Sequence, residues 1–263
     1  MTPDELLKVY DDEVRGRFPH RLPPGWTGEQ DGPLTRCLTG REGFAMLSES
    51  PDGLSADELA ALVDRTVAFY RAHETWFEWK TFDHDRADLL PLLLAAGART
   101  EDHEALVLGD AEALATEVVV PAGIELRQVT ARADLERIAA MESEVWGEDW
   151  AWMADDLESR LTADEPIHVF VAEDVSHPDR PVVSAAWLAP MAGTRVAGLW
   201  GGSTLAAYRG RGIYRALVAT RARRALELGY PILQVDASDD SRPILQRLGL
   251  HVIGGTQPYI IGR

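Results

Sequence analysis

The sequence predicts an α/β protein, of the α+β kind with a mixed sheet, built from two related units. Three observations carry this. The chain has 263 residues, enough for two domains of ordinary size. Helix-like and strand-like segments alternate along most of it. The order helix, strand, proline-containing helix, glycine, strand also occurs twice, at an offset of 152 residues. Leu90-Pro91-Leu92-Leu93 through Gly97-Ala98 lies over Arg242-Pro243-Ile244-Leu245 through Gly249-Leu250, and Asp57 lies over Arg209. A first unit over 1–120 and a second over 121–263 follow, joined through Leu114–Gly123 with its Pro121.

In the first unit, Pro3–Phe18 reads as a helix, followed by irregular, glycine- and proline-rich chain and a strand at Gly43–Leu47. Ser55-Ala-Asp-Glu58 is a capping box, and Leu59, Leu62, Val63, Thr66, Val67 and Tyr70 recur behind it at helical spacing, which predicts a helix from Asp57 to His73. Trp76–Phe82 is aromatic and β-prone. Arg86–Ala96 is a leucine-rich helix closed by Gly97, and Glu104–Leu108 is a strand.

In the second unit, Ile124–Val129 alternates like a strand, Asp134–Trp146 and Trp150–Leu161 look helical, and Ile167–Glu173 and Val182–Leu188 read as strands. Val196–Leu205 is a strand containing Gly201-Gly202. Helix Gly212–Leu228 ends at Gly229 and Pro231 and precedes strand Ile232–Ala237. Helix Ser241–Leu248 and two short strands up to Ile261 complete it.

The net charge is −17, which argues against nucleic-acid partners and against an anionic membrane surface. The average hides a gradient. Residues 1–120 carry 11 basic and 24 acidic side chains, residues 121–194 carry 5 and 15, and residues 195–263 carry 10 and 4. A phosphate-bearing ligand therefore belongs in the last quarter, where seven arginines fall between Arg209 and Arg242. The lone Cys37, the acidic start MTPDELLKVYDDEV and the shortness of the apolar run Leu89–Ala98 predict a soluble, cytoplasmic protein.

The chemistry concentrates in Gly201-Gly-Ser-Thr-Leu-Ala-Ala-Tyr-Arg209-Gly-Arg-Gly-Ile-Tyr-Arg-Ala-Leu217, a strand leading through a Gly/Arg loop into a helix. Gly210 and Gly212 let the backbone approach a ligand, successive N–H groups and the helix N-terminus form an anion nest, and Arg209 and Arg211 add charge. A diphosphate is the natural occupant. Arg215 stands where a dinucleotide fingerprint needs glycine, and Gly-Lys-Ser/Thr is absent.

What remains, Arg209-x-x-Gly212 between strand and helix, resembles the acetyl-CoA motif of the GNAT superfamily of N-acetyltransferases, Gln/Arg-x-x-Gly-x-Gly/Ala. Tyr214 departs from it at the last, normally small, position. Asp239 to Leu250 resembles the family's next helix ending in Leu-Gly-Phe, so the likeness covers residues 123–263. It implies a GNAT acetyltransferase fold, acetyl-CoA as co-substrate and a small-molecule amine acceptor. The amides from Arg209, Gly210, Arg211, Gly212, Ile213 and Tyr214 would cradle the pyrophosphate. Ser203, Thr204 and Leu205 would pair through their backbones with the pantetheine arm, and Ser241 matches a position near the cofactor or is a plain N-cap.

Acyl transfer to an amine needs the amine neutral and the leaving thiolate protonated or stabilised. The family's usual tyrosine acid falls here on Leu245. Tyr259, on a terminal strand bordering the cleft, is a substitute acid or a sheet-packing ring, and Asp236 a base or a partner of the following helix dipole. The segment Glu142–Asp156, with Trp146, Glu148, Asp149 and Trp150, sits where this fold walls the acceptor and suits a cationic amine, or is an ordinary amphipathic wall. The seven histidines, His20 among them, lack metal-ligand spacing, so no metal is expected.

At the position of the Gly/Arg loop the first unit has Leu54-Ser-Ala-Asp-Glu58, whose carboxylates would repel a pyrophosphate. The resemblance thus implies a tandem protein with a degenerate first half lacking a CoA loop, similar in layout to mycothiol synthase. The readings left open are an N-acetyltransferase, a non-catalytic binding or immunity protein of the same fold, and an acyltransferase using a longer acyl-CoA.

Overall fold

In a computed structural model, which describes residues 1–17, 22 and 24–263, the chain opens with helix α1 (Pro3–Val9), capped reciprocally by Thr2 and Glu5. The helix widens at Tyr10–Val14 and tightens at Arg15–Arg17, so its expected length is kept with a changing pitch; its expected end, Phe18, lies outside the described residues, as does His20. Strands β1 (Thr27–Asp31), β2 (Leu34–Leu38) and β3 (Gly43–Leu47) follow, then α2 (Ala56–Ala72), β4 (Phe77–Phe82), α3 (Leu89–Ala95), β5 (Arg99–Thr100) and β6 (Glu104–Asp110). Next come α4 (Ala111–Leu114), β7 (Ile124–Val129), α5 (Arg132–Trp146), α6 (Met153–Leu161), β8 (His168–Asp174), β9 (Val182–Pro190) and β10 (Val196–Thr204). The chain ends with α7 (Ile213–Glu227), β11 (Ile232–Ala237), α8 (Arg242–Arg247) and β12 (His251–Ile261). Among the described residues no helix is long and apolar enough to cross a membrane.

Two compact units divide the chain. Unit 1 comprises Met1–Val107, Asp236–Arg247 and His251–Arg263; unit 2 comprises Leu108–Val235 and Leu248–Leu250. The expected division at 120/121 is continuous in sequence, whereas these compact units interleave.

In unit 1, β1, β2 and β3 form an antiparallel meander, β4 joins β3 in parallel through the crossover helix α2, and β12 pairs antiparallel with β4. The β1–β2 hairpin falls in chain expected to be irregular. All but one of the β1 residues are exposed, so it has no apolar alternation to betray it, and Gly32 turns the hairpin at φ 61°. The two short strands expected before Ile261 are one strand, β12. Gly254-Gly255 marks no turn: a Cβ on Gly255 would lie 2.2 Å from the His103 ring, so the glycine serves a close approach. The core gathers Leu59, Leu62, Trp79, Leu89 and Tyr259, and Tyr70 stacks on Phe77 at 4.1 Å.

In unit 2, β7, β8, β9 and β10 are antiparallel neighbours and β11 pairs with β10 in parallel across α7. Helices α5 and α6 cover one face, with Leu135, Ile138, Met153 and Leu157 against Val169, Val171, Ala185 and Trp187. On the other, Ile213 and Leu217 of α7 pack on Phe170, Ala172, Val183 and Ala186. Helix α6 starts at Met153, later than its apolar pattern suggests, because the Trp150 amide donates to Ser143 Oγ and ties the chain back to α5. Along the sequence the element order β3–α2–β4–α3 is answered by β10–α7–β11–α8, the succession that the 152-residue offset implies, although α8 and β12 belong to unit 1.

Near the end of β8, the buried Glu173 accepts from Arg127 at 2.8 Å and Arg137 at 2.6 Å, with Arg180 at 3.3 Å. Arg127 first, then Arg137, hold its carboxyl at about 2 against the opposing effect of burial. Because the folded value lies below the unfolded one, the contribution is complete above about pH 5 and disappears as pH falls through about 2. We expect Glu173→Gln to cost about 3 kcal/mol in urea unfolding at pH 7, with the difference from the parent vanishing near pH 2.

Candidate functional site

Strand β10 pairs with β11 only at Val196, Ala197 and Gly198, then runs on to Thr204 without a β11 partner. Its pairing with β9 breaks register between Gly201 and Ser203, a bulge. Gly201 and Gly202 have φ of 67° and 91°, and their missing Cβ atoms leave room for two rings: Trp187 would meet a Cβ on Gly201 at 2.6 Å, and Tyr214 one on Gly202 at 2.8 Å. The large residue at position 214, anomalous in the motif, thus packs over a glycine. The close approach inferred from Gly-Gly is made, in the first instance, by the protein's own side chains.

The bulge is held by Arg221 of α7. Its guanidinium is 1% exposed and donates to the carbonyls of Leu217, Trp187 and Trp200 at 3.2, 3.4 and 3.0 Å. Its partners among the described residues are main-chain oxygens, not a carboxylate, and burial pushes its pKa down to about 10.

Beyond Thr204 the chain makes a short turn at Ala206–Tyr208 and enters the loop Arg209–Gly212. Gly210 and Gly212 stand at φ 72° and 91° with open space where a Cβ would be. No side chain caps the N-terminus of α7, so its first amides point out of the helix unclaimed by a side-chain cap. Arg211 lies over the Tyr208 ring at 5.1 Å, and the Tyr208 hydroxyl donates to Asp174 at 2.8 Å. Arg209 Nε donates to the Thr204 carbonyl at 2.9 Å. The expected backbone role of Leu205 meets a competitor, because its N–H already donates to the Val183 carbonyl at 3.0 Å. Ser203, Thr204, Leu205 and the loop through Tyr214 are therefore brought together in unit 2 as one strand-bulge-loop-helix segment.

The tryptophan segment lies in the same unit. Trp146 and Trp150 stack with centroids 6.1 Å apart and Trp150 meets Trp152 at 5.2 Å. Trp146 is 59% exposed, Glu148 and Asp149 are exposed, and Asp149 caps Ala151 N–H at 2.9 Å. Beneath Trp146 is Glu142, 1% exposed, whose Oε2 accepts from Trp146 Nε1 at 2.8 Å while Oε1 is buried without a hydrogen-bond partner. Burial raises its pKa, opposed by the neighbouring Ser203 and Trp146 side chains. Arg221 was passed over by the motif reading, and Glu142 was named there only as the first residue of the acceptor segment. Both were detectable as charges on apolar helix faces: Glu142 continues Leu135, Ile138 and Ala139, and Arg221 follows Leu217 by one turn.

Ser241, Asp236 and Tyr259 fall in unit 1. Ser241 stands at the start of α8, its carbonyl accepting from Leu245 N–H at 3.0 Å as the residue before a helix does, while its hydroxyl donates back to the Ser238 carbonyl at 3.3 Å. Asp236 is ion-paired with Lys80. Burial opposes the charge on Lys80, but Asp236 reverses the effect and raises its pKa, while burial raises Glu78 and Glu104 nearby. The Tyr259 ring belongs to the apolar core of unit 1, opposite Trp79 on β4. At the counterpart of the Gly/Arg loop, α2 is closed by its own residues: Ser55 Oγ accepts from Glu58 N–H at 3.3 Å, and Glu58 Oε2 accepts from Ser55 N–H at 2.8 Å.

The glycines separate experimentally. Gly212→Ala is expected to cost about 1 kcal/mol, the strain of a left-handed residue in open space. Gly201→Ala adds overpacking against Trp187 and is expected to cost about 3 kcal/mol, so urea midpoints should rank Gly212→Ala clearly above Gly201→Ala.

No protein-family model matches the chain, and no curated protein matches it. Solved structures do. A GCN5-related N-acetyltransferase from Kribbella flavida is 16% identical with a TM-score of 0.69, over 99% of this chain and 94% of that one. A tandem GNAT protein from the clavulanic acid biosynthesis pathway is 15% identical with a TM-score of 0.66, over 98% and 94%. A GCN5-related N-acetyltransferase from Sphaerobacter thermophilus is 13% identical with a TM-score of 0.64, over 87% and 76%. At these identities the likeness is one of fold, and it extends over both units. The chain has the fold of the GCN5-related N-acetyltransferases, in the two-unit layout of a tandem GNAT protein.

Proposed function

We propose that the protein is a GNAT-type acyltransferase that moves an acetyl group from acetyl-CoA to the amine of a small, cationic or neutral acceptor. The carrying observation is the uncapped N-terminus of α7, entered through Gly210 and Gly212 in left-handed conformation with Arg209 and Arg211 beside it, at the end of a strand that leaves its parallel neighbour after three residues. Oriented amides, a helix dipole and two guanidinium groups suit a diphosphate. The unpaired length of β10 suits an extended arm laid along it.

When bound, acetyl-CoA supplies an activated thioester carbonyl. The chain supplies the rest: Arg209, Arg211 and the loop amides hold the phosphates, Ser203 and Thr204 border the arm, and Trp146 and Trp150 with Glu148 and Asp149 offer aromatic faces and negative charge to a cationic acceptor. The charge of Asp236 answers Lys80 and the Tyr259 ring packs in a core, and we assign neither a proton-transfer step. Unit 1 takes no second CoA under this reading, because Glu58 already occupies the N-terminus of α2. The cytoplasm, which supplies acetyl-CoA, also suits the free, buried Cys37 thiol.

Calorimetry with acetyl-CoA is expected to give one site per chain, and Arg211→Glu to weaken it by about 10–100-fold, the loss of one charge-assisted contact. Thiol release with a panel of primary amines then tests turnover. Absence of binding, or two equal sites, would falsify the reading. Tight binding without turnover on any amine would instead favour the non-catalytic form of the fold, which the fully buried Leu245 at the usual acid position also favours.

A further inference from the structure

Over Gly198–Gly202, β10 carries three glycines, Gly198, Gly201 and Gly202, and each leaves a recess where a side chain would stand. A ring of the protein fills every one of them. A Cβ on Gly198 would lie 2.5 Å from Trp200 Nε1 and 3.3 Å from Met191 Cε, one on Gly201 2.6 Å from the Trp187 ring, and one on Gly202 2.8 Å from the Tyr214 ring. The strand that has lost its β11 neighbour therefore has no side pocket.

The three rings differ in what holds them. Trp187 is buried in the core beneath α5 and α6, and Tyr214 belongs to the first turn of α7. Trp200 is 38% exposed. It stands directly opposite Trp187 across β9 and β10, so both rings rise from the sheet face that carries α5 and α6. From there the Trp200 indole leans back along its own strand, over Gly198.

Gly198 marks a fork. It is the last β10 residue that pairs with β11, opposite Gln234, and beyond it the pairing stops. The six residue steps from Thr204 back to this fork span roughly 20 Å of strand. An extended arm laid along that length from the Arg209–Gly212 loop carries its far end toward the fork, where the indole closes the recess.

We propose that Trp200 sets the length of the acyl group, admitting acetyl and rejecting longer straight chains because its ring occupies the recess over Gly198 that such a chain needs. The assignment rests on the acyl-transfer reading and adds to it a specificity-determining residue outside the Gly/Arg motif. Acetyl ends in one methyl group and needs no recess. Each further methylene gains from burial only where a recess receives it. Truncating Trp200 opens that space from the solvent side, because the ring already borders water.

The test is calorimetry on the full chain with acetyl-CoA, hexanoyl-CoA and CoA. The parent is expected to bind hexanoyl-CoA at least about 10-fold more weakly than acetyl-CoA, and Trp200→Ala to bring the two within about threefold. Trp200→Leu, a milder truncation that serves if Trp200→Ala does not melt cooperatively, should fall between. In the Trp200→Ala background, Gly198→Val returns bulk to the same recess from another position, and the discrimination should return with it. Valine is tolerated there because Gly198 is not left-handed and, with the indole gone, the nearest remaining atom is Met191 Cε, the end of a flexible side chain. A merely structural Trp200 would weaken all three ligands alike and leave their ratio fixed. Equal affinities in the parent, an unchanged ratio in the truncations, or no recovery in the double variant overturns the role of Trp200 while the acyl-transfer reading stands. If none of the three ligands binds the parent, that reading falls and the length selection falls with it.

Discussion

The bulge at Gly201-Gly202 is the constraint on which the second unit depends. Past Gly198 the strand no longer pairs with β11, and a strand with one free side needs another means of holding its path. Three groups supply it. Trp187 fills the space a side chain on Gly201 would take, Tyr214 does the same at Gly202, and Arg221 ties the carbonyls of Trp187 and Trp200 from the far side of the helix interface. With that path fixed, the chain leaves Thr204 aimed into the Arg209–Gly212 loop and the helix behind it. A left-handed glycine on each side of Arg211 then turns the amides outward.

The two units use one topology for opposite electrostatic ends. In each, a crossover helix follows a strand and begins at the same point of the fold. Helix α2 ends its N-terminus on a serine hydroxyl and a glutamate carboxylate, which satisfy the first amides and place negative charge on the positive end of the dipole. Helix α7 has no such cap and has arginines instead. The same topology therefore carries a closed helix terminus in one copy and an uncapped, arginine-flanked one in the other, with extended backbone at Ser55 and left-handed backbone at Gly212.

Buried charge is treated in three ways. Glu173 is surrounded by three arginines and is a stabilising centre of the β8 end of the sheet. Arg221 is satisfied by carbonyl dipoles, which serve its hydrogen bonds without cancelling its charge. Glu142 has two neutral neighbours and one bare oxygen. The first arrangement is complete within the chain; the last leaves one carboxyl oxygen buried without a partner, and burial raises its pKa.

The α/β class, the second-unit elements and the Gly/Arg loop were legible because each rests on local chemistry. A capping box, a 3.6-residue apolar period or a pair of loop glycines acts within a few positions of itself. The repeat was legible for the same reason, since both copies keep Pro and Gly where helices start and stop. Strand β1 was hidden because an exposed edge strand has no apolar face, and β12 was split because Gly255 serves His103, far away in sequence. The interleaving of the units, the burial of Tyr259, the pairing of Lys80 with Asp236 and the carboxyl of Glu142 under Trp146 all depend on which residues meet across long separations. The sequence by itself determined most of the helices and inner strands and the place of the Gly/Arg loop; only the tertiary structure decided the edge strand, the continuity of β12 and which charges are answered, because pairing, solvation and counter-ions are set by neighbours in space.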